Sequence, residues 1–157
     1  MSRRHFLTAI VGALALGFLP RGAKAAKAFE VTRSDAEWKA MLSKLEYKVM
    51  RQDGTERAFT SPLDKNWADG LYHCRGCDQK LYSSEHKFDS GTGWPSYWQA
   101  IDESAVETKP DRSFFIVRTE CHCSNCGSHL GHIFEDGPEP TGLRHCINGV
   151  SLVFREA

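Results

Sequence analysis

Six cysteines stand in this chain, four of them as C-x-x-C pairs, Cys74/Cys77 and Cys123/Cys126, with Cys121 and Cys146 single. Two pairs at two-residue spacing let four sulfurs converge tetrahedrally on one zinc ion at about 2.3 Å. Such a site has no vacant position, so one Zn2+ held there is structural rather than catalytic. The 45 residues between the pairs exceed the gap of a compact zinc ribbon. The metal would therefore clip together two hairpins distant in sequence. Two disulfides or two C-x-x-C redox centres are the competing readings, but no βαβ pattern accompanies them. His73 and His122 flank the pairs and are read as surface neighbours rather than ligands.

Cys146 has Arg144 two residues before it and Asn148 two residues after it. On a strand these three side chains share one face. A nearby guanidinium favours the thiolate, the form that attacks, so Cys146 reads as an ionised, exposed nucleophile. Upstream, His129 and His132 in HLGH offer imidazoles able to donate protons near neutral pH. The segment SGTGWPSYW supplies tight backbone at Gly91 and Gly93 and a flat apolar wall at Trp94. Each piece alone is weak, since single cysteines and paired histidines are commonly structural. Their conjunction points to redox or nucleophilic chemistry.

The elements that must position these residues are mostly strands. Ser34 and Glu37 form a capping box, and Trp38, Met41, Leu42 and Leu45 follow at helical spacing, which predicts one amphipathic N-terminal helix. From Gly70 onward come short β-prone runs at Leu71–His73, Lys80–Tyr82, Ser113–Glu120, His132–Glu135 and Cys146–Arg155. They predict a mainly β, antiparallel domain over residues 29–157. Residues 1–28 have the layout of an export signal: Arg3 and Arg4, an uncharged run of 14 residues from Phe6 to Leu19, then small residues. That run spans about 21 Å as a helix, short of a roughly 30 Å hydrocarbon core, so no stable membrane span is expected. The paired arginines resemble a twin-arginine signal, which exports folded proteins and implies a periplasmic destination. Metal bound before export would protect the thiols from an oxidising compartment. All five charges in residues 1–28 are basic, so of 20 basic and 20 acidic residues the remainder keeps 15 against 20. That mild acidity argues against nucleic acid.

KFDSGTGWPS (87–96), the two knuckles, HLGHIFEDGP (129–138), TG-x-RHCIN (141–148) and SLVF (151–154) together resemble the methionine-R-sulfoxide reductase (MsrB) family, from about Ser34 to Phe154. The resemblance implies two antiparallel sheets with helices at the N-terminal end, and zinc as in many members. It implies Cys146 as nucleophile, with His129, His132, Asn148 and Trp94 lining a sulfoxide pocket. Oxidised proteins are the implied substrates, a sulfenic acid on Cys146 the implied intermediate, and a thioredoxin-like thiol the implied reductant. Asn148 is expected to hold a histidine or a water. In many members the SGTGWPS position 92 is a cysteine that resolves the sulfenic acid; here it is Thr92. Either Cys121 replaces it or an external thiol acts directly. A monomer is expected by default. Two other classes stay open: a zinc-ribbon binding module, against which the acidity counts, and a chaperone-like module without turnover.

Overall fold

Two capping boxes, not one, open the domain. The computed structural model describes residues 28–113 and 117–157. Ser34 caps α1 (Asp35–Met41) with Glu37, and Ser43 caps α2 (Lys44–Arg51) with Glu46. The chain turns extended at Leu42 between them. The single helix expected from Trp38, Met41, Leu42 and Leu45 is thus corrected to a pair: Met41 and Leu45 are each 46% exposed, while Trp38, Leu42, Val49 and Met50 are buried. The apolar period misleads because Ser43-x-x-Glu46 restarts the helix and resets its phase.

The rest is antiparallel sheet, as expected. A three-stranded sheet has the order β2 (Lys80–Ser83), β1 (Gly70–Cys74), β9 (Leu152–Glu156). A six-stranded sheet runs β3 (Lys87–Phe88), β4 (Ser96–Tyr97), β8 (Arg144–Ile147), β7 (His129–Phe134), β6 (Arg118–Cys123), β5 (Val106–Asp111). One core joins the two sheets: Tyr72, Leu81, Tyr82 and Leu152 come from the smaller, Tyr97, Cys121, Leu130 and Ile147 from the larger. Tyr82 stacks on Tyr97 at 4.3 Å between ring centroids, and Tyr72 meets Tyr97 edge-on at 5.1 Å. Aromatic contacts of this kind add about 0.5–1.5 kcal/mol each beyond burial.

The expected strand Cys146–Arg155 is two strands in different sheets, separated by a 3-10 turn at Gly149–Ser151. The run looks continuous because Cys146-Ile147 and Leu152–Phe154 are both apolar; the Asn-Gly pair at 148–149 marks the corner. The strand expected at Ser113–Glu120 begins at Arg118, and Phe114, Phe115 and Ile116 lie outside the described residues. Of the expected export segment, residues 1–28, all but residue 28 also lie outside them. No described helix is long and apolar enough to cross a membrane.

Candidate active site and metal centre

Both C-x-x-C knuckles fold alike. Cys74 ends β1 and Cys123 ends β6, and the residue after each second cysteine has positive φ, 63° at Asp78 and 67° at Gly127. Their N–H groups donate back to Cys74 O (2.8 Å) and Cys123 O (2.9 Å). The four Sγ atoms lie within 4.8 Å of one another. Cys74 and Cys126 are 3.6 Å apart, Cys77 and Cys123 3.5 Å. A tetrahedron with metal–sulfur bonds of about 2.3 Å has edges near 3.8 Å, and a disulfide needs about 2.05 Å. The four thiols fit a metal ion and not a pair of disulfides. Trp38 covers the knuckles between the guanidiniums of Arg33 and Arg51, which donate to Gly76 O and Cys126 O.

Register assembles the second site. Glu120 pairs with His132, His132 with Cys146, and Cys146 with Ser96, so these four side chains lie in a row on one face of the large sheet. His129 is three residues before His132, and on a regular strand it would face the other way. Between Cys121/His122 and Gly131/His129 the register slips by one residue, so Leu130 is extra. This bulge sends Leu130 into the core and brings the His129 ring within 5.5 Å of His132.

A cavity of about 240 Å3 opens beside Cys146, lined by Thr55, Trp94, Arg118, His132, Phe134 and Asn148 among others. Burial pushes the Cys146 thiol above its ordinary value, against the opposing pull of Arg144 and a hydrogen bond with Thr92. Arg144 comes first among the groups that favour the thiolate, but its guanidinium is not dedicated to the sulfur. It also makes a two-pronged ion pair with Asp136 (2.8 Å on both arms) while stacking on Phe134. Burial also lowers the His132 imidazole, opposed by its 2.9 Å bond to Asp111. Asp111 is held far below the ordinary carboxylate range, first by Ser113 and also by His132 and Arg118. An ionised carboxylate only accepts, so His132 carries its proton on Nε2. Glu120 bridges His129 Nδ1 (2.7 Å) and His122 Nδ1 (2.8 Å). Burial raises its carboxyl, but the two histidines overcome that and hold it at about 2. His129 thereby donates through Nδ1, leaving its buried Nε2 without a protein partner. Asp53, Glu120 and His129 also lie close enough to share a cation, yet both Glu120 oxygens are engaged and Lys109 lies 3.5 Å from Asp53.

The structure brings Cys146, His132, Trp94 and Asn148 to one cavity, with His129 behind His132 and Arg144 alongside. It does not bring Cys121 there. Cys121, Gly131 and Ile147 form the neighbouring row, on the core face of the same strands, and Cys121 is fully buried beside the Tyr82 hydroxyl. Burial pushes its thiol up to about 12. The suggestion that Cys121 resolves an oxidised Cys146 is corrected by this opposite orientation. Thr92 is the neighbour, with Oγ1 at 3.9 Å from Cys146 Sγ. Asn148 holds neither imidazole directly: Oδ1 accepts from Glu56 N and Nδ2 donates to Leu130 O, both at 2.9 Å. It acts on the histidine-bearing strand through the backbone. Sequence reasoning missed Glu56, Glu120, Asp111 and Asp136. Only the D-G of EDGP, at the head of a turn, hinted at one of them.

The SelR domain family model matches residues 42–156. Proteins named peptide methionine sulfoxide reductase MsrB are similar over most of the chain. That of Methanosarcina barkeri is 54% identical over 125 residues, 80% of this chain and 88% of its own. That of Agrobacterium fabrum is 50% identical over 125 residues, 80% of this chain and 93% of its own. That of Thiobacillus denitrificans is 52% identical over 122 residues, 78% of this chain and 92% of its own.

Proposed function

The chain belongs to the SelR domain family, among relatives named peptide methionine sulfoxide reductase MsrB, and from that premise we propose that it reduces the R epimer of peptide-bound methionine sulfoxide through Cys146. It is an oxidoreductase acting on a sulfoxide sulfur. The observation that carries the reading is the direct pairing of Cys146 with His132 across β7 and β8, facing a cavity walled by Trp94 and Phe134.

Burial disfavours the charged forms of both the Cys146 thiol and the His132 imidazole, which supports a thiol–imidazole pair sharing one transferable proton. His132 accepts it from Cys146 on Nδ1, because Nε2–H is committed to Asp111. Sγ then attacks the sulfoxide sulfur while the imidazolium passes the proton to the oxygen. The sulfur–oxygen bond breaks, oxygen transfers to Cys146 as a sulfenic acid, and the thioether leaves, reduced by two electrons. An external thioredoxin-like thiol attacks the sulfenic sulfur and releases water. A second thiol restores Cys146 and completes the two-electron supply. Trp94 receives the substrate methyl group and Arg144 stabilises the developing thiolate. His129, fixed by ionised Glu120, packs against His132 and holds its orientation.

Cys74, Cys77, Cys123 and Cys126 would hold one Zn2+, which supplies a covalent-like clip between the sheets and no step of the reaction. The reading places the enzyme outside the cytoplasm. The arginine pair and apolar run of residues 1–28 support export, and ligands already filled would survive the oxidising compartment.

Cys146→Ser tests the nucleophile. Turnover of the R sulfoxide should fall at least a thousandfold, with metal content and far-ultraviolet dichroism kept. Mass spectrometry of the wild-type chain after one turnover should find a sulfenic-acid adduct on Cys146. An unmodified thiol there would support a binding module instead.

A further inference from the structure

Glu56 is 2% exposed and, among the described residues, faces no cation. Burial raises its carboxyl, opposed by two backbone donors. Those donors are Gly149 N, in a short hydrogen bond, and Val150 N at 3.3 Å. They belong to the turn where the chain leaves Cys146's strand for the other sheet. The peptide group of Glu56 reaches two further site residues. Its N–H donates to Asn148 Oδ1 at 2.9 Å, and its carbonyl accepts from the Trp94 indole at 3.2 Å. Thr55, the preceding residue, lines the cavity. Gly149 has no room for a side chain, since a Cβ there would lie 1.8 Å from Ser61 Oγ.

A carboxylate buried without a cation is costly, and an apolar residue would pack this space at lower cost. Packing alone does not account for it. We infer that Glu56 is a positioning residue for the reaction proposed above: its carboxylate fixes the Asn148–Val150 corner while its peptide group fixes Trp94, so that two of the side chains lining the sulfoxide cavity, Asn148 and Trp94, are set from one residue. Three segments far apart in sequence meet on it. Without the carboxylate the corner is free to shift, and with it the wall that receives the substrate methyl. Because this rests on the Cys146 reading, the wild-type enzyme is the reference throughout. Failure of the wild type to turn over sulfoxide would count against that reading and not against Glu56.

The test uses the full chain with its metal, comparing Glu56→Gln and Glu56→Ala on a short peptide carrying the R or the S sulfoxide. Gln keeps the volume but presents an N–H to one of the two backbone donors. For the R peptide, KM should rise roughly tenfold in Gln, equivalent to about 1.4 kcal/mol, and further in Ala. The decrease in kcat should be smaller, and the preference for R over S should shrink. Alkylation of Cys146 by iodoacetamide should stay within about twofold of wild type, a range well under 1.4 kcal/mol. In a Trp94→Ala background the KM effect of Glu56→Gln should largely vanish, because coupled residues are non-additive. Unchanged KM and epimer preference, with rates scaled only by the fraction folded, would overturn the inference. So would full additivity with Trp94→Ala, or a Gln variant that loses its tertiary fold, since each assigns Glu56 to folding alone.

Discussion

The Thr92 hydroxyl lies 3.9 Å from the Cys146 thiol, tied to Ser90 (2.8 Å), which in turn meets Ser96 (2.7 Å). A hydroxyl there can steady the thiol but cannot form a disulfide with it, so the proposed sulfenic acid waits for a thiol from outside. The Thr92 side chain already points at the Cys146 sulfur, so a sulfur in place of its hydroxyl would have to close from 3.9 Å to about 2.05 Å to bond. In Thr92→Cys, one turnover without reductant should produce a disulfide between the introduced cysteine and Cys146, detected by non-reducing peptide mapping. Wild type should lose only the thiol of Cys146. A sulfenic acid persisting on Cys146 beside a free introduced thiol would show that the two sulfurs cannot meet. Residues of this kind were readable from type and spacing: the knuckle cysteines, Cys146 and Trp94 announce themselves locally. Glu56 and Glu120 did not. In GTER and TECH each looks like a solvated glutamate, and only contacts with Gly149 and with two histidines make it structural.

Among the elements, strand β7 carries the arrangement of the histidines. Alternation alone would have separated His129 from His132, and a bulge has no sequence signature here beyond the apolar Leu130 between them. The helix pair and the corner at Asn148–Gly149 were obscured for a related reason, because local apolar period does not show where a chain changes sheet or resets phase. Glu120 gives the bulged strand its electrostatic anchor, and its pH dependence has a definite sign. Its folded value of about 2 lies below the ordinary 4.5. The stability it contributes is therefore complete above 4.5 and lost as pH falls through 2, a difference of order 3 kcal/mol. Glu120→Gln cannot titrate. Denaturant unfolding should show the variant less stable than wild type by about 1.5–3 kcal/mol at neutral pH. The gap should narrow as pH falls from 4.5 to 2. A constant gap across that interval would mean the carboxylate bonds contribute nothing.

On the scale of the whole molecule, two sheets are joined in three ways: by the tyrosine stack, by the turn at Gly149–Ser151, and by the four thiols. Cys74 sits at the end of a small-sheet strand and Cys123 at the end of a large-sheet strand, so a metal ion between them spans the domain. Arg75, inside the first knuckle, extends that joint by donating to Val150 O (2.8 Å) and Leu152 O (2.9 Å), at the crossing from Cys146's strand to the other sheet. The site and the clip are thus mechanically connected through residues 148–152, although the metal touches no reacting atom. Structural zinc is worth about 10–16 kcal/mol in small peptides, as much as a domain's usual net stability of about 5–15 kcal/mol. Stripping the metal with a strong chelator, thiols kept reduced, should release one ion per chain and lower the melting temperature by on the order of 10 °C or more. Sulfoxide reduction should decline together with near-ultraviolet dichroism, and Cys74→Ser should reproduce both. A metal-free chain that melts and turns over like the loaded one would show that the tyrosine core and the turn hold the sheets together unaided.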